Sequence, residues 1–155
     1  MAIKFSGELR KLRIVAHMFK YAVRTKIDWA AVTVSLVDWP EVSTVVRKDP
    51  VAELRGVLLR AIAGRVRSRE PVPLPKAKPC AEFFVPLSSR EAMKVMTFNE
   101  MIQARLGMED VALRLSVSHQ LIRQMLDLDH PADLDLIERV MNLAGKRIVA
   151  YPVSS

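Results

Sequence analysis

The sequence predicts an α+β chain in two parts: a small antiparallel sheet with one helix, then an all-α part that ends in a short strand. Three observations lead there. Residues 31–37 alternate apolar and polar side chains, with Val32, Val34 and Leu36 on one face at the strand period of two. Residues 71–79, PVPLPKAKP, are rich in proline, which fixes φ and lacks the N–H donor, so neither a helix nor a central strand persists there. Residues 108–145 hold three short stretches with apolar residues at helical spacing, separated by tight breaks.

In chain order, residues 19–25 alternate more weakly and pair with 31–37 as a hairpin through 26–29. Asp38-Trp39-Pro40-Glu41 reads as a turn and 42–46 as a third strand. Asp49-Pro50 starts a helix, with Asp49 as N-cap and Pro50 at the first helical position. Leu54, Val57, Leu58, Ala61 and Ile62 form its apolar face, and Arg55, Arg60, Arg65, Arg67 and Arg69 are placed on or just beyond its exposed side. After the proline-rich stretch, 82–87 is a strand that rejoins the first sheet. Ser88 caps a helix over 89–97 that 98–106 continues or restarts, and Gly107 is expected to end it as a left-handed C-cap. Residues 146–152, KRIVAYP, form a terminal strand, expected to pair with its copy in a second subunit.

Within 108–145, Val111, Ala112 and Leu115 mark one face of a first helix, Ser116 a turn, and Ile122, Met125 and Leu126 the buried side of a second. Leu134, Ile137, Val140, Met141 and Ala144 mark a third. Ala112 is small where two helices cross, and Ser118 caps the second helix. Small residue, turn, and apolar Val117 after it form the pattern of a helix-turn-helix, whose second helix enters the DNA major groove. Ser118, His119, Gln120, Arg123 and Gln124 then become the candidate DNA-binding residues. Gln reads adenine and Arg reads guanine bidentately, whereas a plain three-helix bundle would leave these residues as a solvated face.

Composition bounds the function. At 155 residues the chain forms one medium domain or two small ones. No run approaches the ~20 apolar residues of a membrane span. Glu8, Arg10, Lys11 and Arg13 break any secretory core, and the lone Cys80 forms no internal disulfide, so a cytoplasmic protein is expected. His17, His119 and His130 are scattered, so no metal site and no cofactor is expected. Asp38, Glu41 and Asp49 lie near strand ends, where a nuclease would place metal ligands. No fourth ligand accompanies them, so no catalytic residue is assigned. The net charge of +7 is uneven: residues 1–79 carry 16 Lys and Arg against 7 Asp and Glu, residues 80–155 only 8 against 10. The candidate reader therefore lies in the acidic half. It needs either a local basic patch around Arg114 and Arg123 or help from the basic half.

In order and spacing, AVTVSLVDWPE, KDPVAEL, EPVPLP, FFVPLS, VALRLSVSHQLIRQMLDLDHPADLDLIERV and AGKRIVAYPV resemble the HicB family of antitoxins over about residues 18–153. The resemblance implies a degenerate, non-catalytic RNase H-like N-terminal domain that binds the toxin HicA, a ribonuclease. It also implies a C-terminal helix-turn-helix that dimerises and represses the operon. The organisation is then an extension over 1–17, a HicB-like domain over 18–70, a linker over 71–80, and the last strand with the helix-turn-helix over 81–155.

The sequence departs from the family at three places. Gly107 and Met108 stand where a capping Thr or Ser and a phosphate-contacting Gln are usual, Leu121 stands where a polar residue is usual, and residues 1–17 precede the usual start. The family toxin is basic and its antitoxin usually acidic, yet residues 18–79 hold 12 Lys and Arg against 6 Asp and Glu. Two basic surfaces repel, so an orphan regulator fits this balance better. The expected function is a dimeric repressor binding a palindromic site on double-stranded DNA. The alternative is a protein-interaction module, a toxin neutraliser or an inhibitor of a host enzyme, that uses the helix-turn-helix mainly for dimerisation.

Overall fold

A computed structural model describes residues 2–5, 13–15, 19–76 and 81–151; Cys80 lies outside them. The fold is α+β. A four-stranded antiparallel sheet is built from β3 (Lys20–Ile27), β4 (Val32–Leu36), β5 (Ser43–Val45) and β6 (Phe84–Pro86) in the order β5-β4-β3-β6. Five helices accompany it: α1 (Pro50–Ser68), α2 (Ser89–Gln103), α3 (Met108–Leu115), α4 (His119–Leu126) and α5 (Leu134–Leu143). A second sheet, β2-β1-β7, joins β1 (Ala2–Phe5), β2 (Arg13–Val15) and β7 (Ile148–Tyr151). No helix among the described residues is long and apolar enough to cross a membrane.

The alternation in β4 sets the sheet's register. Val23 pairs with Leu36 and Thr25 with Val34, so Val23, Val34 and Leu36 share the face that α1 covers with Leu54, Leu58 and Ile62. All six are buried. Asp49 caps α1 by accepting from the Val51 and Ala52 N–H groups at 3.0 and 3.1 Å. The residues after α1 hold its end in place. Asn99 on α2 donates to and accepts from the Val72 backbone at 2.9 and 2.8 Å, and Val72 is buried. One cluster of buried side chains runs from Phe19 on the sheet side to Met141 on α5.

Two expectations need correction: the end of the first hairpin strand and the role of Gly107. The first hairpin strand runs through Ile27, because Asp28 accepts from the Ala30 and Ala31 N–H groups and makes the turn there. Of the two courses expected after residue 97, the helix from Ser89 takes the continuous one, unbroken to Gln103. Gly107 is not its left-handed cap: Arg105 takes positive φ, and Gly107, at φ −76, begins α3 with its N–H on the Asp110 carboxylate at 3.0 Å. The last helix starts at Leu134 under an Asp133 cap. On one edge β7 pairs with β1 of its own chain, Phe5 opposite Ile148 and Ala2 opposite Tyr151. A strand in the same chain presents its edge at high effective concentration. The other edge of β7 has no partner among the described residues.

Candidate functional site

The candidate site is built on α4, an eight-residue helix with one apolar side. Ile122, Met125 and Leu126 are buried, which turns His119, Gln120 and Arg123 outward and leaves Gln124 half-buried. Ser118 caps the helix, its hydroxyl accepting from the Leu121 N–H at 3.1 Å. The link from α3 is three residues, with Ser116 left-handed at φ 55 and the Val117 N–H on the Ala112 carbonyl at 3.0 Å. Arg139 on α5 donates to the Leu115 carbonyl at 2.8 Å, satisfying a group that the end of α3 would otherwise leave open.

The far end of α4 rests on a lysine. Lys94 sits on α2 within eight consecutive buried residues, 91–98. Its ammonium donates to the backbone carbonyls of Asp127 and, at 2.7 Å, of His130. A cation on the carbonyl end of a helix is also favoured by the helix dipole. Burial lowers the Lys94 pKa and Arg90 lowers it further, while Asp127 and Asp129 oppose both. The Asp129 N–H holds the Asp127 carboxyl below the usual carboxylate range, against some burial, and His130 adds to this at 3.0 Å. α4 is thus fixed at both ends and free along its polar side.

That polar side faces α1. His119, Gln120, Arg123 and Gln124 line a cleft of about 1050 Å³ whose opposite wall carries Arg60, Arg67 and Arg69. Leu59, Val66, Met108 and Leu128 contribute apolar lining, and Glu109, Asp127 and Asp129 add acidic groups. Four of the five candidate residues thereby meet in one place, together with arginines roughly 50 residues away in sequence. Ser118 stays outside the cleft lining as a helix cap.

Two of the five arginines do other work. Arg55 donates to Glu91 at 2.6 Å and to the Pro86 carbonyl at 2.7 Å, tying α1 to the start of α2. Arg65 pairs with Glu70 at 2.7 Å and lies over the Trp39 ring at 5.4 Å. Burial raises the Glu91 carboxyl, but Arg55 and the Ser88 capping box outweigh it and hold Glu91 below its ordinary value. The acidic residues near the strand ends are likewise structural: Asp49 caps α1 and Asp38 accepts from the Lys76 N–H at 2.9 Å. Among the described residues, no three His, Cys, Asp or Glu side chains gather as a metal site would require.

Lys94 and Arg139 were not visible as site residues in the sequence. A lysine inside an otherwise apolar run was the one available signal, because a buried cation must have partners.

No family model matches the chain. Antitoxin HicB 2 of Photorhabdus laumondii is 28% identical over 131 residues, covering 83% of this chain and 93% of that protein. Antitoxin HicB of Escherichia coli K12 is 27% identical over 119 residues, covering 74% of this chain and 85% of that protein. The similarity runs through both the sheet and the helical half, and the chain is a homologue of the HicB antitoxins.

Proposed function

We propose that this chain is a HicB-type antitoxin that acts as a DNA-binding repressor, with α3 and α4 as a helix-turn-helix and α4 as the reader. One observation carries the reading: exposed Gln120 and Arg123, with half-buried Gln124 beside them, face a wall of three arginines across one cleft. Gln120 and Arg123 lie one helical turn apart. Glutamine pairs with two atoms of adenine and arginine with two of guanine, each good pair contributing roughly 1–3 kcal/mol of discrimination. The α1 arginines would meet phosphates beside the groove being read, which resolves how an acidic half binds a polyanion.

The sheet with α1 corresponds on this reading to a degenerate RNase H-like domain, and 71–80 to the segment joining it to the reader. Two copies joined along the open edge of β7 would present two α4 helices to a palindromic site. The relatives' name, antitoxin, adds a protein partner, a toxin of HicA type, to the reading.

The test is selection of bound sequences from a random duplex pool. The reading expects one enriched, palindromic motif, relaxed at one base position of each half in Arg123→Ala with an unchanged circular dichroism spectrum. No enrichment, or an unaltered motif in the variant, would remove α4 as reader.

A further inference from the structure

The outward face of α4 has an apolar border. Successive residues advance about 100° around an α-helix. Counted from Ile122, whose side chain is fully buried, Arg123 stands at about 100°, Gln120 at about 160°, Gln124 at about 200° and Leu121 at about 260°. Gln120 and Gln124 therefore point away from the core, with Arg123 on one side of them and Leu121 on the other. Arg123 and Gln120 are exposed, whereas Leu121 is half-buried, its inner side packed against the core cluster.

The two borders have different surroundings. Arg123 lines the cleft opposite the α1 arginines, and Leu121 is not among the side chains that line it. Leu121 lies in the first turn of α4, and the N-terminal residues of a recognition helix are those that reach base edges. Its place there is fixed: the Ser118 hydroxyl accepts its N–H at 3.1 Å, and Ile122 anchors the same turn in the core. A leucine side chain has neither donor nor acceptor, so it offers nothing to the hydrogen-bonding groups of a base edge or to a phosphate. Thymine alone among the four bases presents an apolar group in the major groove, its C5-methyl.

We infer that Leu121 is a specificity-determining residue of the reader and selects a thymine through its C5-methyl. The inference rests on the reading of α4 as the helix that enters the major groove. The contact buries about one methyl group, which amounts to about fourfold in affinity for each half-site. The group selected is the methyl itself. Deoxyuridine pairs as thymine does and keeps its O4 acceptor, so at this one position it should be treated as a wrong base.

The experiment selects duplexes from a random pool with the full chain. Affinity for the selected duplex is then measured with each thymine of the motif replaced in turn, in both half-sites, by deoxyuridine. One thymine position should be sensitive, its loss weakening binding about fourfold per half-site. Leu121→Ala, with its fold checked by circular dichroism, should bind the thymine and deoxyuridine duplexes equally. It should keep the preference at the different position that Arg123→Ala relaxes. Leu121→Gln, which retains much of the packing stem but ends in an amide, should lose the methyl discrimination as well. Equal affinity of the wild type for thymine and deoxyuridine at every position overturns the inference, as does a methyl dependence that survives in the folded variants. Either result leaves α4 standing as reader. A pool with no enriched motif removes that reading, and the inference with it.

Discussion

The two walls of the cleft are built by opposite means. The α1 wall presents long, exposed arginines: 60 and 67 from a nineteen-residue helix in the basic half, and 69 from its left-handed C-cap. The α4 wall presents His119, Gln120, Arg123 and Gln124 from an eight-residue helix in the acidic half, capped by Ser118 and pinned by Lys94. Cations on exposed side chains suit the phosphate backbone, because those contacts carry no sequence information and add mainly charge. Base edges tolerate little, and the groups that read them must be held. Under the proposed DNA-binding function, the difference amounts to a division of labour: attraction on the α1 wall and discrimination on the α4 wall.

The comparison breaks most completely if the platform under α4 is removed. Ile122 is fully buried, and Ile122→Ala should cost about 2–5 kcal/mol of stability. Thermal unfolding of the variant measures it, and an unchanged midpoint would mean that α4 does not depend on its apolar face. A milder break is Lys94→Met, which leaves the Asp127 and His130 carbonyls without their donor. The expected loss is about 1–3 kcal/mol, offset in part by relief of the buried charge. Amide exchange should speed up at 127–130 and stay unchanged in α1. Uniform exchange across the chain would show that the lysine supports the whole fold rather than one helix end.

The smallest effect concerns the joint between the halves. The Glu91 pKa is held low, so its contribution to stability is present above the usual glutamate range of about 4.3 and is lost as pH falls through the lower folded value. Glu91→Gln should therefore flatten the acid limb of the stability curve. Its cost at neutral pH should be about 1 kcal/mol, because Arg55 is one-third exposed and can turn to water. An acid limb as steep as the wild type's would assign that limb to other carboxylates.

Much of this was legible in the sequence where local chemistry decides. The alternation of Val32, Val34 and Leu36 marks β4, and the caps Asp49, Ser88 and Ser118 start their helices as their side chains dictate. The apolar spacing of Ile122, Met125 and Leu126 gives the outward set on α4 directly. What depends on distant partners was not legible. Arg55 and Arg65 look like Arg60 and Arg67 in the sequence, and only the placement of Glu91, Glu70 and Trp39 separates them. α2 is buried on all sides over 91–98, so helical periodicity carries no signal there and Lys94 passes for a surface residue. The left-handed turn fell to Arg105 rather than to Gly107, since glycine is permissive of that conformation and does not require it.

The central claim is the division between the two walls, and salt dependence of binding to the selected duplex tests it directly. For Arg60, Arg67 and Arg69 all changed to Gln, the slope of log affinity against log salt should become shallower by about 3 at most, with the preferred sequence unaltered. For Arg123→Ala, affinity for the selected duplex should fall by about 1–3 kcal/mol, and the preference at one base position should relax. A triple variant with the wild-type slope, or one with a changed sequence preference, would contradict the assignment of attraction to α1 and discrimination to α4.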